Sequence, residues 1–161
     1  MSSSVTDLLL WSAMISSGLM AGIYFAFSGF IMRSFASLPA DHAVSAMNAI
    51  NTTILRSWFM PLFWGSTLVS GLLIILGLWQ WGEPGAPGAL VAGAVYLIGM
   101  FLVTAFRNVP LNHALANVSG GGEQARTIWH AYLSRWTRWN TVRVLASTVT
   151  FVICTGLLAA T

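Results

Sequence analysis

Charge is what this sequence has least of. Only 7% of its 161 residues are Asp, Glu, Lys or Arg, against roughly a quarter in a soluble domain, so no ordinary water-facing surface can be built from it. Cysteine is nearly absent: Cys154, the only one, lies in an apolar run, which excludes a disulfide framework and a cysteine-based metal site. Lysine is missing, and all seven basic residues are Arg. The pI of 9.8 rests on these seven against four carboxylates. That is too few for a surface that tracks phosphates, so nucleic acid is not an expected partner. A cytosolic enzyme and a disordered tail are excluded as well. What is present is apolar: 57% hydrophobic residues and a mean hydropathy of +0.76. The composition is that of an integral membrane protein with lipid as its neighbour.

A helix crossing about 30 Å of hydrocarbon needs roughly 20 apolar residues. Residues 8–32, 58–81, 89–106 and, more briefly, 144–160 meet that need. The alternation over about ten residues that marks a membrane barrel strand is missing. The expected fold is therefore all-α: one membrane domain over 1–161, an integral four-helix bundle with amphipathic cytoplasmic helical segments. No basic residue precedes the first stretch, and it is too long for a signal core, so it reads as a retained span.

Arginine placement predicts the orientation. Arg33 and Arg56 flank the first connection, and Arg107, Arg126, Arg135, Arg138 and Arg143 lie in or beside the third. Those two connections share one side, which the positive-inside rule makes cytoplasmic, with both termini outside. Trp11, Trp79 and Trp81 gather at the opposite face as an aromatic belt. Using Arg without Lys points to a GC-rich bacterial genome and hence a bacterial inner membrane. Glu83-Pro84-Gly85-Ala86-Pro87-Gly88 reads as a tight outer turn, and Ser119-Gly120-Gly121-Gly122 as a flexible linker. The glycosylation patterns at Asn51 and Asn117 fall on the inner side and are discounted. Gly18 and Gly22 form a small-residue contact surface of the kind used inside bundles; the oligomeric state stays open.

Polar residues on apolar faces mark the candidate site. Helical projection of 41–56 places Asn51 in the middle of a face formed by Ala43, Met47, Ile50 and Ile54. Its amide needs a partner, from another helix or from a ligand. In Arg107-Asn108-Val109-Pro110-Leu111-Asn112-His113, Pro110 disfavours helix at Val109, so the third span is expected to end or kink. Asn108 and Asn112 either cap that break or face a bound molecule. Along 123–143, Trp129, Tyr132, Trp136, Asn140 and Arg143 share a sector of about 80°. Glu123, His130, Ser134 and Arg138 lie opposite. Such a helix can rest in the interface plane, but Asn140 and Arg143 are better placed lining a cavity. Tyr24, near the centre of the first span, needs a partner for its hydroxyl. His42 and His130 read as surface residues, and His113 is the histidine nearest a pocket. No pair of histidines has metal spacing, so no metal and no cofactor are expected, a haem on one axial ligand being the open alternative. All four carboxylates, Asp7, Asp41, Glu83 and Glu123, lie in loops or helix ends, and no internal repeat is visible. Both facts argue against a proton-coupled transporter.

Taken together, Gly22-Ile23-Tyr24-Phe25-Ala26-Phe27-Ser28, Met47-Asn48-Ala49-Ile50-Asn51, Asn108-Val109-Pro110-Leu111-Asn112 and the W-x-x-Y-x-x-x-W-x-x-W-N-x-x-R run from Trp129 to Arg143 resemble the anthrone oxygenase family of four-helix membrane proteins. The pieces occur in the expected order, span most of the chain and are specific only in combination. Fungal members are tied to oxidation of anthrones to anthraquinones in polyketide synthesis. The resemblance therefore implies an oxygenase-like activity on a small aromatic molecule with O2. It carries over no catalytic residue, so roles follow from what the reaction demands. An aromatic pocket is needed, with a base and donors for a developing oxyanion. Trp129, Tyr132 and Trp136 suit the wall, Arg143 with Asn108, Asn112 or Asn140 the donors, and His113 the base; Tyr24 and Asn51 are further substrate-binding candidates. The alternative is a non-catalytic protein that binds an aromatic metabolite, a lipid or a membrane partner.

Overall fold

The computed structural model describes residues 4–118 and 123–160; the glycine-rich stretch read as a linker lies outside them. Helices account for nearly all of the described chain. They are α1 (Ser4–Ala36), α2 (Ala40–Ile54), α3 (Phe59–Trp79), α4 (Ala86–Ala116) and α5 (Glu123–Ala159). Four of these, α2 being the exception, contain segments long and apolar enough to cross a membrane. The fold is an all-α, multi-pass membrane bundle.

Each spanning helix has two long-helix neighbours: α1 packs on α5 and α3, and α4 packs on the same pair. Side chains on the outside of this square are apolar and uncovered, among them Leu8, Ile15, Leu68, Ile75, Ile98 and Val152, as lipid-facing positions should be. Trp11, Trp79 and Trp81 are all exposed. The interior divides into three apolar groups. Leu10, Leu73, Ala89, Ala92 and Cys154 fill the end near the termini. Met20, Tyr24, Phe63, Tyr96 and Met100 fill the middle. Met32, Ala43, Met47, Leu115, Trp129, Tyr132 and Trp136 fill the far end.

Length makes the two ends unequal. At 1.5 Å per residue, α3 is only just long enough for the hydrocarbon, whereas α1, α4 and α5 run on for about 15 Å or more beyond it. The fourth span and the amphipathic segment before it are one unbroken helix, α5. The overhanging ends of α1, α4 and α5 gather at the side where α2 packs across them, and this is also the arginine-rich side.

Backbone contact sets the α3–α4 spacing. A Cβ on Gly93 would meet the backbone oxygen of Ser70, and one on Gly77 would lie 2.7 Å from the oxygen of Ala86. Gly85, with φ of 89°, turns the chain into α4, whose first turn tolerates Pro87 because its N–H would be unpaired there.

Of the two outcomes expected at Pro110, an end or a kink, the first does not occur. The helix continues to Ala116, and Val109 keeps helical angles of φ −62° and ψ −46°. Proline lacks an N–H and its ring crowds the carbonyl four residues back. A wide turn over Thr104–Asn108 precedes it, with the Val109 N–H reaching back to the Thr104 oxygen, and loosens the ladder where that crowding falls. A second wide turn covers Leu97–Leu102, and α1 has one over Phe27–Ile31. Turns of this width are rare and cluster at functional sites.

Candidate active site

Between α1, α2, α3, α4 and α5 at the overhanging end lies a cavity of about 600 Å³. Its wall is mainly apolar and aromatic: Tyr24 and Phe27 from α1, Met47 from α2, Phe59 and Phe63 from α3, and Trp136 from α5. Polar groups enter from α2 (Asn48, Asn51), α4 (Thr104, Asn112, His113) and α5 (Arg143).

Arg143 is the unusual member. It is 5% exposed, and among the described residues no carboxylate pairs with it; the ion pairs present join Asp41 to His42 and Glu123 to Arg126. Its guanidinium is held by neutral groups. Nη2 donates to Asn140 Oδ1 at 2.7 Å and Nη1 to Thr104 Oγ1 at 3.3 Å. The Tyr24 and Trp136 rings lie against it, with centroids 4.1 and 5.2 Å from Cζ. A cation over aromatic faces is attracted by the ring quadrupole, but neither ring neutralises it. Arg143 Nε is buried without a partner.

Asn140 fixes this arrangement. Fully buried, it donates from Nδ2 to the Tyr24 backbone oxygen (2.7 Å) and to Ser28 Oγ (2.6 Å), which leaves Oδ1 turned to Arg143. It ties α5 to the start of the wide turn in α1. Thr104 begins the wide turn of α4 and donates to the Met100 oxygen at 2.7 Å, so its own oxygen is free to accept from Arg143. The Tyr24 hydroxyl directs its hydrogen to Met100 Sδ, 3.5 Å away.

The remaining sequence-derived site residues divide by position. Tyr24, Asn51, Asn112, His113, Trp136 and Arg143 line the cavity. His113 is exposed and Asn112 half-buried, with its Oδ1 accepting the Tyr132 hydroxyl at 2.9 Å. Asn51 turns its amide nitrogen toward that hydroxyl without closing a hydrogen bond. Trp129, Tyr132, Asn108 and Asn140 lie behind the wall. Trp129 stacks on Tyr132 and Tyr132 on Trp136, at centroid distances of 5.7 and 6.1 Å. Asn108, 1% exposed, donates to the Trp136 backbone oxygen at 3.2 Å and fastens α4 to α5.

A profile of the anthrone oxygenase family matches residues 54–153, all of α3 and α4 and most of α5. The chain belongs to that family. No curated protein and no solved structure matches it. The segments of α1 and α2 that carry Tyr24, Ser28 and Asn51 lie outside the matched range, yet fold onto the same cavity.

Sequence reasoning missed Thr104, Ser28, Asn48, Phe59 and Phe63. Asn48 and Asn51 sit one helical turn apart, and Phe59 and Phe63 are at i,i+4 spacing, so a projection of those stretches finds them. Nothing local marks Thr104, and Ser28 enters the sequence reading only as the end of a family-like segment; both matter because distant helices bring Arg143 and Asn140 to them.

Proposed function

We propose that the protein is a membrane-embedded oxygenase that acts with O2 on a planar aromatic, polyketide-type molecule of the anthrone kind. The buried guanidinium on the wall of an aromatic cavity, with no carboxylate beside it, carries this reading. An ionisable group inside a membrane bundle is costly and points to function. Here it supplies positive charge where a substrate oxyanion would develop.

The chemistry follows from the substrate. An anthrone has a CH2 between two rings, opposite a carbonyl. Loss of one proton gives an enolate whose oxygen bears the charge, and Arg143 would stabilise it. The electron-rich carbon gives an electron to O2 and then bonds to it. Protonation yields a hydroperoxide, and loss of water leaves the quinone carbonyl, so each O2 ends as one quinone oxygen and one water. Neither metal nor haem is invoked. His113, the imidazole at the cavity wall, is the proposed proton acceptor, histidine being the side chain most often used as a general base. The arginine-rich end that carries the cavity is proposed to face the cytoplasm, with both termini outside.

The test is O2 uptake by detergent-purified protein with a simple anthrone, recorded beside its absorption spectrum. Protein-dependent uptake with quinone formed and no Soret band is the expected result. A Soret band contradicts the cofactor-free route. Saturable binding without uptake leaves the alternative, a binding protein for an aromatic metabolite.

A further inference from the structure

We propose that the cavity takes its aromatic ligand as an oxyanion in the ground state, before O2 is involved: the ionised form of a planar phenol or enol. This deepens the reading above by naming the charge state bound; it rests on the same cavity but not on turnover.

The cavity carries hydrogen-bond donors that the fold leaves unmet. A guanidinium offers five N–H donors in a fixed fork; here Nη2 goes to Asn140 and Nη1 to Thr104, the Tyr24 hydroxyl lies within its reach, and the Nε–H is buried without an acceptor. Trp136, also on the wall and 5% exposed, has an indole N–H that is buried without an acceptor. Asn51 adds an amide nitrogen in the same condition. Buried donors left unpaired are costly, and three at one cavity, against one unpartnered acceptor there, Asn48 Oδ1, point to a ligand rich in acceptors.

Charge points the same way. From α1 the cavity is faced by Tyr24, from α2 by Asn48 and Asn51, from α4 by Thr104, Asn112 and His113, and from α5 by Trp136 and Arg143. The α3 wall is apolar and aromatic, through Phe59, Met60, Phe63 and Trp64. No carboxylate is among these groups, so an incoming acid meets one fixed cation and no anion. An opposite charge at close range favours the ionised form and has to outweigh the contrary pull of desolvation. The flat aromatic walls suit a fused-ring anion rather than a compact inorganic one.

The experiment uses alizarin, a dihydroxyanthraquinone whose phenol changes colour on ionising, titrated with pH in nonionic detergent with and without the whole protein. The bound dye is expected to turn to its anion spectrum at a pH lower by about 1–3 than the free dye. Arg143→Lys keeps most of that displacement, and Arg143→Gln abolishes it, with thermal melts in detergent confirming that each variant is folded. The proposal is overturned if folded wild type fails to bind the dye, or binds it with its midpoint unmoved or raised. It is equally overturned if Arg143→Gln keeps the displacement while His113→Gln loses it. A displaced midpoint without O2 uptake supports this inference and removes the oxygenase reading; uptake with an unmoved midpoint does the reverse.

Discussion

A guanidinium inside an apolar bundle persists only where neighbouring groups replace its lost water, and the replacements around Arg143 are neutral. Asn140 is the pivot, because its amide spends both functions: nitrogen on α1, oxygen on Arg143. Asn140→Ala should therefore act through position. We expect kcat to fall by about 100-fold, the scale of a misplacement of roughly 1 Å, with KM much less affected. An equal loss in KM alone would mean that Asn140 only helps to bind substrate. Trp129 is a contrast: it lies under the Tyr132–Trp136 stack and off the cavity wall. Trp129→Ala should cost stability first, about 3–5 kcal/mol for a buried aromatic, read as a lower Tm in detergent. At this scale the sequence was informative where a polar residue interrupted an apolar periodicity, as at Asn51, Asn140 and Arg143. It gave no role to Ser28 or Thr104, because Ser and Thr are unremarkable in membrane helices until a partner from another helix arrives.

Helices, at the next scale, place these side chains. The α3–α4 pair is held at backbone contact by Gly93, where a side chain would run into Ser70 and Ile74. Gly22, by contrast, has open space around it. Gly93→Leu should destabilise the bundle by at least the 1–3 kcal/mol or so typical of overpacking, whereas Gly22→Ala should leave Tm nearly unchanged. Comparable melts for the two variants would show that the close approach is not required. Of the glycines read as a contact surface in α1, Gly18 meets Phe151 of α5 within the bundle. The extent of α4 was not legible, since the proline rule allows either an end or a kink at Val109, and the helix runs on through a wide turn. Such a turn is a cooperative property of the helix ladder and its neighbours, with no signature in the residues alone.

At the scale of the whole molecule, four apolar helices and one arginine-rich end followed directly from composition and the spacing of charge. Helix length added what spacing did not. Three of the spanning helices overhang the same end, and α2 closes over them to leave the cavity. The proposed orientation puts Ser134, exposed on α5, on the cytoplasmic side and Glu83, in the exposed α3–α4 turn, on the other. In sealed vesicles of known orientation, Ser134→Cys should react with an impermeant thiol reagent only from the cytoplasmic face, and Glu83→Cys only from the opposite one. The reverse labelling would invert the topology and move the cavity to the outer end.

The central claim is that Arg143, uncompensated within the fold, stabilises the oxyanion on which O2 acts. Its most direct test is the rate of O2 uptake with a simple anthrone, compared between wild type and Arg143→Gln at matched folding. The account predicts a fall of about 100- to 1,000-fold in kcat, the cost of losing one oxyanion donor. An unchanged rate in a folded Arg143→Gln protein would contradict it.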